Sequence, residues 1–150
     1  MAVPFAAAHR SAAPARNRRP ADTPRHSPLR RPAAIALLVA GAAHLPVIAP
    51  HLAEAPYIGA LFIALTVACG VLAVALLVWD APTVWDLAVL TTGLAVLAYV
   101  LSRTVGLPQI RDDVANWAEP LGVLSIAAES VTVLLGIAAL ALRRRSPRLG

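Results

Sequence analysis

Charged residues are scarce in this chain of 150 residues, at 14% of the sequence, while hydrophobic residues make up 59%. Soluble domains are about half apolar and about a quarter charged, so this composition excludes an ordinary soluble domain. Lysine is absent, and every positively charged side chain is therefore an arginine. A single cysteine, Cys69, lies inside an apolar run, which excludes an intramolecular disulfide framework and a CxxC metal site.

The formal net charge of +5 is distributed unevenly along the chain. Residues 1–32 contain seven Arg and one Asp, a charge of +6, and residues 143–150 contain four Arg, a charge of +4. Residues 33–142 contain two Arg and seven acidic residues, a charge of −5. Because no aromatic residues alternate with the arginines of the tails, no nucleic-acid partner is expected. The basic tails instead predict orientation in a membrane, with attraction to anionic lipid as a second effect.

Residues 1–32 are rich in Ala, Pro, Arg, Ser and Thr, and we expect a disordered cytoplasmic tail because such a segment cannot bury a core. Residues 143–150 are predicted to form a second basic cytoplasmic tail. A cleaved signal peptide is the competing interpretation, since Arg30 and Arg31 precede an apolar stretch and Ala40-Gly41-Ala42 resembles a cleavage site. The long basic region, with no soluble domain after it, favours a retained membrane span.

Four apolar segments are long enough, or nearly so, to cross a bilayer, which takes about 20 helical residues. They lie at about 33–52, 57–79, 84–107 and 120–142. In water these segments would leave almost no polar surface, so the sequence predicts an all-α fold, a transmembrane four-helix bundle within residues 33–142. Arg-rich segments precede the first span and follow the last. Both termini are therefore predicted to be cytoplasmic in a multi-pass plasma-membrane protein.

The ends of the spans carry aromatic residues and helix-capping patterns. We expect Trp79 and Trp85 at the inner membrane interface and Tyr57 and Trp117 at the outer one. The last loop, residues 108–118, has apolar residues at helical spacing and predicts a short interfacial helix. Capping is predicted at three positions, namely Thr83 with Asp86 before the third span and Glu119 before the fourth.

Each predicted span carries a seam of small or polar residues three or four positions apart. Small residues let membrane helices approach closely, and hydroxyl groups can bond across the contact. In the first span the seam is Leu37, Gly41, His44, Ile48 and His51, and in the second it is Gly59, Thr66, Gly70 and Ala73. In the third span it is Thr92, Ala95, Tyr99, Ser102 and Gly106, and in the fourth it is Gly122, Ser125, Glu129, Thr132, Gly136 and Ala139. Helix packing explains most of these positions, but not the ionisable ones.

Glu129 lies nine residues after Pro120, about 13 Å along the helix and close to the predicted membrane midplane. An unpaired carboxylate at that depth costs several kcal/mol, so Glu129 is expected to be protonated, paired or hydrated. His44 lies at a comparable depth in the first span and is the candidate partner. Arg103 could extend outward or reach inward to Glu129. A buried structural hydrogen bond is the alternative role for His44 and Glu129.

His44, His51 and Glu54 lie in the outer half of the first span, together with Pro46 and Pro50. A continuous helix would place the two histidines on one face, about 10 Å apart. Each proline removes a backbone hydrogen bond, so we expect this end to be kinked or unwound and to line a cavity. The alternative is that His51 and Glu54 are interfacial loop residues.

Several kinds of chemistry are excluded by what the membrane segment contains. A bis-His haem needs ligands on opposite faces of the iron, and both membrane histidines lie on one helix. Copper(I) transport calls for Cys and Met ligands, but the chain has one of each. No nucleophile, phosphate-loop or metalloprotease motif is present, so no enzyme is predicted. A zinc-like divalent cation suits imidazole and carboxylate ligands, which four side chains could supply: His44, His51, Glu54 and Glu129.

Residues 40–130 resemble a group of small, uncharacterised four-helix integral membrane proteins from actinobacteria. The similarity rests on His44 with Pro46, His51-Leu52-Ala53-Glu54, Gly59 with Phe62, Arg103 with Gly106-Leu107-Pro108, and Trp117 to Gly122 with Ser125 and Glu129. The basic tails lie outside it. The resemblance implies the four-helix architecture and a site to be tested, without an established activity.

Together these patterns predict an integral membrane protein with a polar pocket that opens outward and is lined by His44, His51, Glu54, Arg103 and Glu129. The pocket would bind or pass a proton, a divalent cation or a small polar solute, with His and Glu as ligands and Arg as counter-ion. The alternative is a structural or accessory membrane protein whose intramembrane polar residues only lock helix packing. The expected partners are the lipid bilayer and a second copy of the chain or another membrane protein.

Overall fold

The computed structural model describes residues 26–145, and within that range it contains four α-helices and one short 3-10 turn. The helices are α1 (Arg30–Glu54), α2 (Pro56–Val78), α3 (Pro82–Thr104) and α4 (Pro120–Arg145). Each helix is long and apolar enough to span a membrane, which confirms the prediction of an all-α protein with four such segments. Disorder is predicted for residues 1–32, of which residues 1–25 lie outside the described residues, as do residues 146–150 of the second basic tail.

Proline begins three of the four helices. Pro56, Pro82 and Pro120 occupy the first helical position, where the missing N–H would have no intrahelical partner anyway. α1 begins at Arg30, so the last three residues of the predicted N-terminal tail are helical. Nη1 of Arg30 donates to the carbonyl of Leu77 at 3.2 Å, and this contact holds the start of α1 against the end of α2.

α1 is one continuous helix although Pro46 and Pro50 lie inside it. Of the two alternatives predicted for its outer half, the unwound one is therefore wrong, and a kink stays a prediction. Both prolines occupy exposed positions, whereas His44 on the opposite side is buried. The packed face of α1 contacts α2 and α4 along the bundle, and these contacts support the helix where the two backbone hydrogen bonds are missing.

α3 ends at Thr104, three residues before the predicted end of the third span. The reason is Gly106, which has a φ of +80°. Its N–H donates to the carbonyl of Leu101 at 3.0 Å. A glycine in the left-handed region that donates back to the last turn is typical of a helix C-terminus, because a side chain there would be strained.

Two local predictions from the sequence are wrong. The capping box at Thr83 and Asp86 is not formed, since α3 already begins at Pro82 and its N-cap is Ala81, which has no side-chain acceptor. The interfacial helix predicted for residues 108–118 is reduced to a 3-10 turn at Arg111–Asp113. The helical spacing of apolar residues in this loop predicted more helix than the loop contains. The loop backbone instead makes turn contacts, some of them with α3, which the spacing does not indicate.

The helices pack in a definite order. α1 packs against α2 and α4, and α4 also packs against α3, whereas α2 and α3 share the smallest interface of these pairs. The main apolar core lies in the half of the bundle that holds both described chain ends, and its largest members are Leu37, Leu76 and Trp85. A second, smaller cluster of Ala55, Ile58 and Ile110 lies at the opposite end.

Glycines in two of the seams mark close helix contacts. A Cβ added at Gly41 of α1 would lie 3.2 Å from Cβ of Cys69 in α2. A Cβ added at Gly136 of α4 would overlap Cγ2 of Val89 in α3. Gly70, in contrast, would meet no described atom within 4 Å, so its predicted place in the seam of the second span is wrong.

Asp80, in the connection between α2 and α3, joins several elements at one end of the bundle. Its Oδ1 accepts hydrogen bonds from Nε1 of Trp85 at 2.7 Å and from Nη2 of Arg143 at 2.6 Å. Its Oδ2 accepts from the backbone N–H of Ser27 at 2.5 Å. Both ends of the described chain therefore lie at the same end of the bundle. Trp85 is fully buried inside the bundle, and its position at the inner membrane interface stays a prediction.

Candidate functional site

A cavity of about 580 Å³ lies among the four helices, toward the end of the bundle opposite Asp80. This volume is within the range usual for small-molecule pockets. Most of the walls are apolar side chains, including Ile58, Leu65 and Leu107. The polar lining residues come from α1, α3, α4 and the loop before α4, and are His44, His51, Thr91, Tyr99, Ser102, Arg103, Asp113, Glu119, Ser125 and Glu129.

Four of the five predicted site residues line this cavity: His44, His51, Arg103 and Glu129. The fifth, Glu54, is exposed at the last position of α1 and is not part of the lining. Its exposure agrees with the alternative that the sequence left open for it, an interfacial residue. The structure therefore brings together a smaller set than predicted.

Glu129 and His44 face each other across the cavity wall. Glu129 is 1% exposed, and its Oε1 lies 3.9 Å from Nε2 of His44. Within residues 26–145, this Oε1 atom has no hydrogen-bond partner. Nδ1 of His44 lies 2.7 Å from the carbonyl oxygen of Ala40, and because a carbonyl only accepts, Nδ1 is the protonated nitrogen. Nε2 is therefore the ring nitrogen available to share a proton with Glu129.

The His44–Glu129 pair can hold one proton in two arrangements. A neutral imidazole can face a carboxylic acid, or an imidazolium can face a carboxylate. The separation of 3.9 Å exceeds a hydrogen-bond length, so a small side-chain rotation or one bridging group would complete the contact. While it holds this one proton, the pair has no net charge among the apolar side chains.

Phe62 of α2 contacts both histidines of α1. Its ring centroid lies 4.9 Å from that of His44 and 5.0 Å from that of His51. Nδ1 of His51 lies 2.8 Å from the carbonyl oxygen of Val47, which repeats the arrangement at His44 two turns further along the same face of the helix. Because the aromatic ring packs against both imidazoles, they are held as two separate groups on the cavity wall.

Arg103 is paired with Asp113, a residue that the sequence analysis did not single out. Its Nη1 lies 2.6 Å from Oδ1 of Asp113 and donates to the backbone carbonyl of the same residue at 3.2 Å. The guanidinium carbon lies 4.9 Å from the centroid of the Tyr99 ring, within cation–π distance. Arg103 is therefore bound by Asp113 rather than by Glu129, and its outward extension to the membrane surface stays a prediction.

Glu119 caps the N-terminus of α4. Its Oε1 accepts from the backbone N–H of Leu121 at 3.0 Å, and its Oε2 accepts from the N–H of Gly122. These bonds satisfy two of the N–H groups that a helix start leaves unpaired. The capping role predicted from the sequence is confirmed, and it accounts for both carboxylate oxygens.

Most seam hydroxyl groups bond within their own helices. Thr66 donates across the α1–α2 contact to the carbonyl of Gly41 at 3.3 Å. Four other hydroxyls donate instead to a carbonyl one turn earlier on the same helix, namely those of Thr92, Ser102, Ser125 and Thr132. Hydrogen bonding between spans is therefore a small part of what holds these helices together.

The four candidate metal ligands are not gathered into one site. Within residues 26–145, no group of three or more His, Cys, Asp or Glu side chains is placed to hold a metal ion. Glu54 lies outside the cavity, and Phe62 packs against the imidazoles of His44 and His51. A zinc-like site needs about four converging ligands, so this set does not fit one.

No family model, curated protein sequence or solved structure matches the chain. The resemblance to small actinobacterial membrane proteins therefore stays a prediction. The function has to be argued from the cavity and its buried ionisable pair.

Proposed function

We propose that the chain is a multi-pass plasma-membrane protein that binds a proton inside its cavity, at His44 and Glu129. The supporting observation is the 1% exposed carboxylate of Glu129, with its unpartnered Oε1 3.9 Å from Nε2 of His44. A lone carboxylate in the hydrocarbon region costs several kcal/mol, whereas a pair that shares one proton avoids that cost. Proton binding is thus the simplest role that this geometry supports.

The proposed orientation places both termini in the cytoplasm. The start of α1 and the end of α4 meet at Asp80, so the arginines at both ends of the described chain share one end of the bundle. Arginine-rich segments are retained on the cytoplasmic side. The cavity, which lies toward the other end, would then be nearer the outer surface of the membrane.

The rival function is a structural or accessory protein whose polar residues lock the helices. Two observations favour the proton site over it. The seam hydroxyls of Thr92 and Thr132 bond within their own helices, and the 3.9 Å separation of His44 and Glu129 is too long for a locking hydrogen bond. A divalent cation is less well supported than a proton, since the candidate ligands do not converge.

Infrared difference spectroscopy of the purified protein across a pH series tests the proposal. The wild type should show the C=O stretching band of a protonated carboxylic acid in an apolar environment. Glu129→Gln should remove this band, and His44→Asn should move the pH at which it appears, because the shared proton loses one of its two carriers. Glu119→Gln, on the same helix, should leave the band unchanged since that carboxylate only caps α4.

Thermal unfolding of the same variants in detergent separates the two functions. If Glu129→Gln and His44→Asn destabilise the bundle while the carboxylic-acid band is already missing from the wild type, the residues serve packing and the proton site is wrong. If the variants fold and the band is lost from Glu129→Gln alone, the proton site is supported.

A further inference from the structure

The cavity has its mouth on the apolar flank of the bundle. Leu61 of α2 and Leu94 of α3 both line the cavity, and they are 60% and 56% exposed. A side chain that lines a cavity and is more than half exposed lies at its opening. The two residues belong to the packed helix pair with the smallest interface, and the lining beside them consists of small side chains, those of Ala64, Ala68, Ala95 and Ala98. A molecule dissolved in the bilayer could therefore pass between α2 and α3.

The charged residues of the lining favour a positively charged occupant. They comprise one arginine and three acidic residues, a formal charge of −1 when His44 and Glu129 share one proton and His51 is neutral. Arg103 is bound by Asp113, and Glu119 is bound by two backbone N–H groups of α4. Glu129 keeps an unpartnered oxygen, Oε1, which lies 3.9 Å from Nε2 of His44 on α1.

The apolar and aromatic walls of the cavity limit which chemical class of molecule could bind in it. A small hydrated cation would find too few ligands here, as the lack of a converging ligand set among the described residues indicates. An anion would be repelled by the excess of acidic groups, and a neutral apolar molecule would leave Glu129 without a partner. An organic cation with apolar substituents would pair its charge with Glu129 and pack its substituents against the walls and the ring of Phe62.

The geometry points to a binding site for an amphipathic organic cation, reached from the bilayer between α2 and α3, with Glu129 as its counter-ion. This inference rests on the proposed proton site, because the cation would replace the proton shared by His44 and Glu129. When the cation binds, Glu129 pairs with it as a carboxylate and one proton passes to solvent. The proton moves from the pair to water, and no other covalent bond is made or broken.

Binding of tetraphenylphosphonium to the detergent-purified protein tests this site. Calorimetry should show saturable binding, and a pH indicator in weak buffer should report about one proton released per cation bound. Glu129→Gln should weaken binding at least tenfold and abolish proton release. Ala98→Trp, which adds bulk to the lining, should also weaken binding, whereas Leu97→Trp should not, since the neighbouring exposed Leu97 lies outside the lining.

Tetraphenylborate, with nearly the same shape and the opposite charge, is the matched control ligand and should not bind. Equal binding of both ions would overturn the inference, since the cavity would then be merely apolar. A wild type that shows the carboxylic-acid band of Glu129 but does not bind tetraphenylphosphonium would overturn this inference and leave the proton site standing. A dimer that Leu94→Arg dissociates, together with no binding of the cation, would show that a second copy covers the mouth and would also overturn it.

Discussion

Arg143, near the end of α4, donates from Nη2 to both the carboxylate and the backbone carbonyl of Asp80, at 2.6 and 2.7 Å. The two residues are 63 positions apart in the chain. Because the same carboxylate also accepts from Trp85 and Ser27, it connects α1, α3 and α4 at one end of the bundle. This end is anchored by charge-assisted hydrogen bonds, whereas the opposite half contains the cavity.

Replacing Asp80 with alanine should lower the free energy of unfolding in detergent by about 3 kcal/mol. The reason is that Arg143 would lose its carboxylate and the buried N–H of Trp85 would lose its acceptor. Asp86→Ala, at an exposed position in α3, should change the unfolding free energy by less than about 0.5 kcal/mol. Chemical denaturation monitored by tryptophan fluorescence measures both. Equal losses for the two variants would contradict the role given to Asp80.

A double-mutant cycle should detect the pairing of Arg103 with Asp113. Arg103→Ala and Asp113→Ala should show a coupling energy of about 2 kcal/mol, because the two side chains are in direct contact at 2.6 Å. Arg103→Ala combined with Glu129→Gln should be additive within about 0.5 kcal/mol. Unfolding in detergent provides the four free energies for each cycle. Strong coupling between Arg103 and Glu129 would show that the arginine turns inward after all.

Gly136→Ala should destabilise the α3–α4 contact, because the new methyl group would overlap Cγ2 of Val89, whose β-branched side chain has few alternative rotamers. The expected loss is about 1–3 kcal/mol. Adding Val89→Ala should restore part of the stability by removing the clash. Gly70→Ala is the control and should be neutral or slightly stabilising, since no described atom lies within 4 Å of the added Cβ. Melting temperatures in detergent rank the four proteins. Failure of Val89→Ala to rescue Gly136→Ala would contradict the contact.

Cysteine labelling in intact cells should find the two ends of the bundle on opposite sides of the membrane. In a Cys69→Ala background, Ala53→Cys should react with an impermeant maleimide added outside, and Thr83→Cys should react only after the membrane is permeabilised. Both positions are exposed in the bundle and lie within two residues of a helix end, so neither is shielded by protein packing. Labelling of both from the same side would refute the four-span topology.

The sequence predicted the individual helices well and the contacts between them less well. The depth of Glu129 predicted a buried carboxylate with His44 as partner, and the structure places the two side chains 3.9 Å apart. Glu119 was identified as a helix cap from its place before Pro120. Asp80 and Asp113 were missed, although both are acidic residues beside spans that carry arginines. Their partners lie on other elements, so no local spacing indicates them.

Hydropathy, segment length and the positions of proline were enough to specify four membrane-compatible helices, since each of these properties is summed along one stretch of chain. Packing decided which side chains meet. It buried Trp85 against Asp80, directed Arg103 to Asp113 and gave α2 and α3 the smallest interface of the packed helix pairs. Such contacts depend on the order and rotation of the helices around one another, and those are determined by the complementarity of surfaces that are distant in the sequence.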